Sequence, residues 1–471
     1  MSGLIANLLT ATKSLGAQQA GVEVAGRNLA NINNPNYSRQ RVELGDRLLV
    51  DSRLGPVSGG VEVLAIKQIR DQFLDAAVVR EAAQTGLLQA QQSGLQRAQT
   101  ALSEQVDVSS DSGAISTATS STNGISAGIN DFFNAFDELA ANPLDAGAKQ
   151  VLLQKANTLA DKFNVTDQRL QSLQGDLTEE VRIGTNKVNS LLSQIADLNG
   201  EIQKFEIGTP DSARELRDQR QARLEELSKY IDFTTRAIPG GFGKIQVVAK
   251  DTAGVDVILV DKVSVIGGIS FDGTQISGGN PSTPLGLQGG FLKGQLLVRD
   301  GAIQQLRDDL KKTADQVAAG VNGAYSATSS NFFQVPPANG LLALDPTLSF
   351  SSLKATATAD SGANEVALAV ADIARKTYST GSGDVIDGTI SGFFTKTVSG
   401  LGESLNGMNT KLDDQELIEK MTGKSRDSVS AVSMDEEMAD LMKFQRSYQA
   451  NARVVRAIDE MLDGLINNML R

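Results

Sequence analysis

The chain has 471 residues, 40% apolar and 21% charged but only 4% aromatic, without tryptophan; at about 150 residues per domain this allows about three domains, with aliphatic and alanine side chains filling their cores. It has no cysteine and no histidine, which removes thiol nucleophiles, imidazole bases, disulfides and His/Cys metal sites and leaves only carboxylate, lysine or hydroxyl chemistry; without cysteine, the redox compartment cannot be read. The formal charge of −12, from 44 basic and 56 acidic residues, argues against a nucleic-acid partner and an anionic membrane surface.

The acid excess is uneven. Residues 1–80 carry nine basic and seven acidic side chains and residues 434–471 carry five and seven, so the two ends cancel and the whole excess lies between them. Met1 to Lys13 has no basic leader and its apolar run is broken by Asn7, so no cleaved secretory signal is expected. No stretch approaches the roughly 18 apolar residues that a membrane span requires, so no membrane insertion is expected.

Leu4, Leu8, Ala11, Leu15, Gln18, Val22, Ala25, Leu29 and Ile32 recur at heptad spacing and predict one amphipathic helix. It ends at Asn33-Asn34-Pro35-Asn36-Tyr37, where Pro35 drives Asn34 out of the helical region and Asn36 suits a left-handed turn. Arg41–Leu44 and Gly60–Ile66 alternate like strands, Asp71 to about Leu102 is helical, and the Ser/Thr/Gly-rich Val108–Gly124 reads as a loop. A long helix follows through Leu170, Leu173, Leu177, Val188, Leu191, Ile195, Leu198, Ile202 and Phe205; its eleven-residue step from Leu177 to Val188 resembles a coiled-coil stutter. Gly208-Thr209-Pro210 breaks it before a further helical segment with Leu216, Leu224, Leu227 and Ile231.

From Asp232 to about Gly290, short β-branched runs between Gly and Asp turns predict a small β domain. A helix returns near Gly301 with Ile303, Leu306, Leu310, Val317 and Val321, and Ser/Thr/Gly-rich chain fills much of Ser326–Asn406. The last segment, Met434–Leu470, is helical, with Leu441, Phe444, Tyr448, Ala452, Val455, Ile458, Leu462, Leu465 and Met469 on one face. The expected fold is mainly α with a small outer β domain, its terminal helices forming a coiled-coil assembly core around which a long helical middle domain is built. The expected segments are 1–70, an assembly helix and extended part; 71–231, a long helical domain; 232–295, the β domain; 296–405, a return helix and loop-rich part; and 406–471, a second assembly helix.

Motifs of catalysis fail on inspection. Gly124-Ile-Ser-Ala-Gly128 has the spacing of a nucleophile elbow but follows a Ser/Thr loop in a chain without histidine. Gly423-Lys-Ser425 lacks the first glycine of a phosphate loop, Ile418 standing in its place, and reads as a helix-ending glycine. Asp435-Glu436-Glu437 offers paired carboxylates for acid/base work or a hard cation, but these acids also suit the first turn of a helix, with Ser433 as N-cap and Glu436 as its capping-box partner. No catalytic residue, cofactor or metal ligand is therefore expected.

Asn28-Leu-Ala-Asn-Ile-Asn-Asn-Pro-Asn-Tyr-Ser-Arg-Gln40 resembles the N-terminal motif of flagellar rod, hook and hook-associated proteins, with Asn36 in place of the usual glycine. Gly60–Leu74 and Val432–Arg453 resemble the segment that follows it and the family's C-terminal helix. Gly294–Asp300 and Asn331-Phe-Phe333 are similar to the hook-associated branch found at the hook–filament junction. The resemblance implies an extracellular place in the bacterial flagellum, export by the type III apparatus without a cleaved signal, and a ring of copies. It also implies contacts to hook protein and to the second junction protein, with a cytoplasmic export chaperone at the C-terminal helix. Leu4, Leu8, Leu15, Val22, Asn28, Leu29, Asn31, Pro35 and Tyr37 at one end, and Asp435, Glu436, Leu441, Phe444, Gln445, Tyr448, Asn451, Val455 and Leu462 at the other, are the expected assembly residues, the leucines burying against the second helix and against neighbouring copies. A coiled-coil surface adhesin or surface-layer protein is the alternative.

Overall fold

The computed structural model describes residues 2–52, 55–102, 124–335, 340–358 and 362–469. Helix α1 (Ser2–Ala30) leads into an antiparallel hairpin of β1 (Gln40–Ser52) and β2 (Gly55–Gln68), in register from Gln40 opposite Gln68. Four helices follow: α2 (Gln72–Leu102), α3 (Ile125–Ala141), α4 (Ala146–Glu206) and α5 (Arg214–Ser228). The β region has one sheet of four strands in sequential order, β3 (Thr234–Ala237), β4 (Ile245–Lys250), β5 (Asp256–Asp261) and β6 (Ser264–Val265), and one of three, β7 (Ile269–Phe271), β8 (Ile276–Gly278) and β9 (Thr283–Pro284). Helices α6 (Phe291–Leu297) and α7 (Gln304–Tyr325) are joined by a π-helical Val298–Ile303, and α8 (Glu365–Ala371), α9 (Ile390–Ser430) and α10 (Met434–Met469) complete the chain. The protein is thus mainly α with a small β region. Among the described residues no helix is long and apolar enough to cross a membrane.

Two compact units divide the chain: Met1–Thr85 with Thr185–Gly290 and Gln415–Arg471, and Gly86–Gly184 with Phe291–Asp414. The first brings both terminal segments and the β region together. In it Asn199 of α4 donates to the carbonyls of Ile245 and Lys262, and Asn189 to that of Ile269, fastening the sheets to the helix.

The second unit owns the main hydrophobic core. Phe132, Phe133 and Phe136 of α3, Tyr325 of α7, and Phe332 and Phe333 just beyond it interlock in edge-to-face and tilted pairs, with centroid separations of 5.0–5.8 Å. Asn322 fixes the last two, its Oδ1 accepting from both backbone amides and its Nδ2 donating to the Phe333 carbonyl. Helix α6 crosses α2 at Gly294, where an added Cβ would lie 2.5 Å from the Leu87 carbonyl oxygen. Because that neighbour is backbone and cannot swing away, Gly294→Ala is expected to destabilise the second unit by about 1–3 kcal/mol, read as a lower denaturant midpoint at unchanged slope.

Two expectations change. Within the eleven-residue step from Leu177 to Val188, buried Val181 and Thr185 keep the apolar stripe continuous through α4. The Ser/Thr/Gly-rich chain before Asn406 conceals the start of α9, which begins at Ile390. Its glycines and serines lower intrinsic helix propensity, but Ile390, Phe394, Val398, Leu401 and Leu412 recur at helical spacing and are buried, so packing decides. Gly423 consequently lies inside α9 and ends no helix. The loop expected over Val108–Gly124 lies, apart from Gly124, outside the described residues, as do the side chains of Leu465 and Met469.

Candidate assembly site

The two ends of the chain meet at Asn28, in the last turn of α1. Asn28 is 1% exposed. Its Nδ2 donates to the Gln40 carbonyl at 2.8 Å and to Glu437 Oε2 at 2.9 Å. Its Oδ1 accepts from Tyr37 Oη at 2.8 Å and from the Gln40 amide at 3.0 Å. Both donors and both lone pairs of the carboxamide are therefore used, and no other side chain of this length offers the same set.

Arg39 supplies the second tie. Its amide donates to the Ser430 carbonyl at the end of α9, and its carbonyl accepts from the Ile69 amide. Its Nε donates to Glu437 Oε1 at 2.7 Å, Nη1 pairs with Glu436, and Nη2 lies 3.8 Å from Asp440 Oδ2. Burial works against the Arg39 charge, but the hydrogen bond to Glu436 and the field of Glu437 prevail and raise its pKa. Burial, with the Asp218 carboxylate next, pushes the Tyr37 phenol up to about 12, so Tyr37 stays a donor to Asn28.

Glu437 is 3% exposed and stands in the first turn of α10, its amide donating to the Ser433 carbonyl at 3.0 Å. There the helix dipole favours its charge. Ser433 holds the N-cap position, while the Glu436 carboxylate, expected to fold back onto the cap, reaches Arg39. These acids act as ion-pair partners of Arg39, an arrangement that fastens two segments together. Among the described residues no three carboxylates are gathered to hold a metal ion.

The turn between α1 and β1 is built differently from expectation. Asn36 is not among the residues with positive φ. The reversal comes from Asn34, whose carbonyl accepts the Tyr37 amide at 3.1 Å and whose Oδ1 accepts the Asn36 amide at 3.2 Å. Asn31 donates to the Arg27 carbonyl at 3.0 Å, and Pro35 is exposed.

Helices α1 and α10 run antiparallel, since Gly21 faces Phe444 and Asn28 faces Glu437. A Cβ on Gly21 would sit 2.6 Å from the Phe444 ring, so this glycine sets how closely the helices approach. Among the described side chains of α1, the buried apolar ones are Ala11, Ala17, Val24 and Ala25, whereas Leu4, Leu8, Leu15, Val22 and Leu29 are half-buried. In the single chain the leucines of the heptad stripe thus keep part of their surface exposed, while the fully buried positions are small or β-branched. On α10, Ile458 is buried, Leu441, Phe444, Asn451, Val455 and Leu462 are half-buried, and Asp435, Glu436, Gln445 and Tyr448 are exposed. Met434, Met438 and Met442, four residues apart on one face, are 56%, 42% and 48% exposed. Arg39, Glu437 and Gly21 escape sequence reasoning as site residues, although Arg39 and Glu437 sit inside the motifs; Gly21 is one of four glycines in α1 and carries no signal of its own.

Residues 115–328 match the family described as the flagellar hook-associated protein FlgK helical domain. Flagellar hook-associated protein 1 of Bacillus subtilis is 25% identical over 525 aligned residues, covering 100% of this chain and 99% of its own. Along its whole length the chain is thus similar to flagellar hook-associated proteins. The Escherichia coli K12 protein of the same name is 25% identical over 569 aligned residues, with 99% of this chain and 100% of its own covered. Residues 426–469 match the C-terminal family of flagellar basal body rod FlgEFG proteins, which takes in all of α10. The solved flagellar hook junction protein FlgK from Burkholderia pseudomallei aligns with 55% of this chain and 46% of its own, at 20% identity and a TM-score of 0.45.

Proposed function

We propose that the protein is a structural ring component of the bacterial flagellum that joins hook to filament, and that copies associate through the α1/α10 pair. The observation that carries this reading is the exposed Met434, Met438 and Met442 row on α10. Two paired helices shelter one face of each, and an apolar row left in water at helical spacing calls for a partner helix. The clamp of Asn28, Arg39 and Glu437 holds the pair in the register that presents this row. The half-buried leucines of α1 gain further burial from a neighbouring copy. Hook protein and the second junction protein are the axial partners, and the export chaperone takes the C-terminal helix before assembly, which fits export of the chain without a cleaved signal. The role is structural, with no catalytic step, and the relatives favour it over a coiled-coil adhesin.

Met438→Glu combined with Met442→Glu tests the reading. Both side chains are exposed, so the monomer is expected to melt within about 0.5 kcal/mol of the unsubstituted chain, while sedimentation and electron microscopy of hook–filament preparations show no incorporated copies. Normal incorporation of the doubly substituted chain would remove α10 from the assembly surface.

A further inference from the structure

Helix α5 packs against the Asn34–Ser38 turn and the residues that lead into α2, and Asp218 lies at the contact, 6% exposed. Its Oδ2 accepts from the Ser38 amide at 3.4 Å. Its Oδ1 accepts no hydrogen bond and has Arg70 Nη1 at 3.6 Å. The same guanidinium directs Nε to Asp75 Oδ2 at 3.3 Å. Two largely buried carboxylates share one cation, so the cluster carries one negative charge too many for its surroundings.

The neighbouring groups do not cancel that charge. Tyr37 faces Asp218 from the turn, Gln68 of β2 and Ser38 hydrogen-bond it and oppose burial without outweighing it, and Glu215 of α5 adds negative field at Tyr37. Arg27 of α1 is paired with Glu23. Arg426 of α9, which faces Asp75, is shared between Glu225 at 2.8 Å and Asp427 at 3.3 Å. Glu437 of α10 adds negative field at Tyr37. Asp218 also lines a polar cleft of 740 Å³ with Arg27, Asn31, Tyr37, Glu201 and Glu215, a route by which water and protons reach it.

We propose that the Asp218, Arg70 and Asp75 cluster is a proton-responsive latch that closes the motif turn onto α5 more firmly in mildly acidic solution than above neutrality. The device is independent of the ring-assembly reading. Burial raises the Asp218 carboxyl from the ordinary 3.8 to about 6, against the opposing pull of Arg70, and burial raises Asp75 in the same direction. A value raised in the folded state means that the closed turn binds the proton more tightly than the open one. The stability this contributes is complete below the ordinary value and is lost as pH climbs through about 6.

Hydrogen-exchange protection factors of the amides of residues 31–40, followed from about pH 4.5 to 7.5, test the latch. In the unsubstituted chain they are expected to fall about tenfold across that range, less than the full displacement of the carboxyl allows because the cleft is wet. In Asp218→Asn the high, acid-side protection should persist at every pH, and Asp75→Asn should shift the profile the same way by less. An identical fall in Asp218→Asn, or loss of protection in it at all pH values, overturns the proposal. Carbon-13 titration of the Asp218 carboxyl in the unsubstituted chain decides the matter if the variants do not fold: a midpoint near 6 supports the latch, and one below about 4.5, close to an unperturbed carboxyl, overturns it.

Discussion

Glu437→Ala is expected to destabilise the terminal unit by about 3–5 kcal/mol, because it removes one partner of a buried pair and strands the other. Arg39, whose side chain is 19% exposed, would lose the partner of Nε, and the Asn28 amide would lose one of its two acceptors. Glu436→Gln serves as the internal contrast. Glu436 touches the same guanidinium from a position 62% exposed, so water replaces it and the cost should be about 0–1 kcal/mol. Denaturant midpoints of the two variants, at unchanged slope, measure the difference. Equal losses would mean that burial of Glu437 is irrelevant and that the clamp is an ordinary surface cluster.

That contrast also shows where a sequence stops being readable. The terminal helices, the hairpin, the break at Gly208–Pro210 and the β region follow from local pattern, because apolar period and turn residues act within a few positions. Helix α9 does not: its propensity is poor, and only burial of Ile390, Phe394 and Val398 in a core whose other walls come from elsewhere in the chain, part of them more than two hundred residues earlier, makes it helical. The assembly site divides in the same way. Asn28 and Tyr37 are legible because they sit in one motif, nine residues apart. The pairing of Arg39 with Glu437 spans 398 residues and has no local signature, and the same acids serve equally well on paper as helix-start residues. Heptad spacing finds the helical face but cannot tell whether leucines or small residues form the contact, since that depends on how closely two backbones approach at Gly21.

Phe332→Ala should be as costly as loss of Glu437 but in the other unit. Phe332 is fully buried and has four ring neighbours, Phe132, Phe136, Tyr325 and Phe333, at centroid separations of 5.8, 5.4, 5.5 and 5.0 Å. Truncation removes its transfer free energy and leaves a cavity walled by rigid aromatic rings that cannot collapse into it, a loss of about 3–5 kcal/mol. The backbone makes collapse harder still, since Asn322 pins the Phe332 and Phe333 amides. If the core of the second unit opens as its own cooperative element, amide protection in α3 and α7 should fall while that of α1 and α10 stays unchanged. Glu437→Ala should give the mirror pattern. Parallel loss of protection throughout the chain in either variant would show that the two units unfold together.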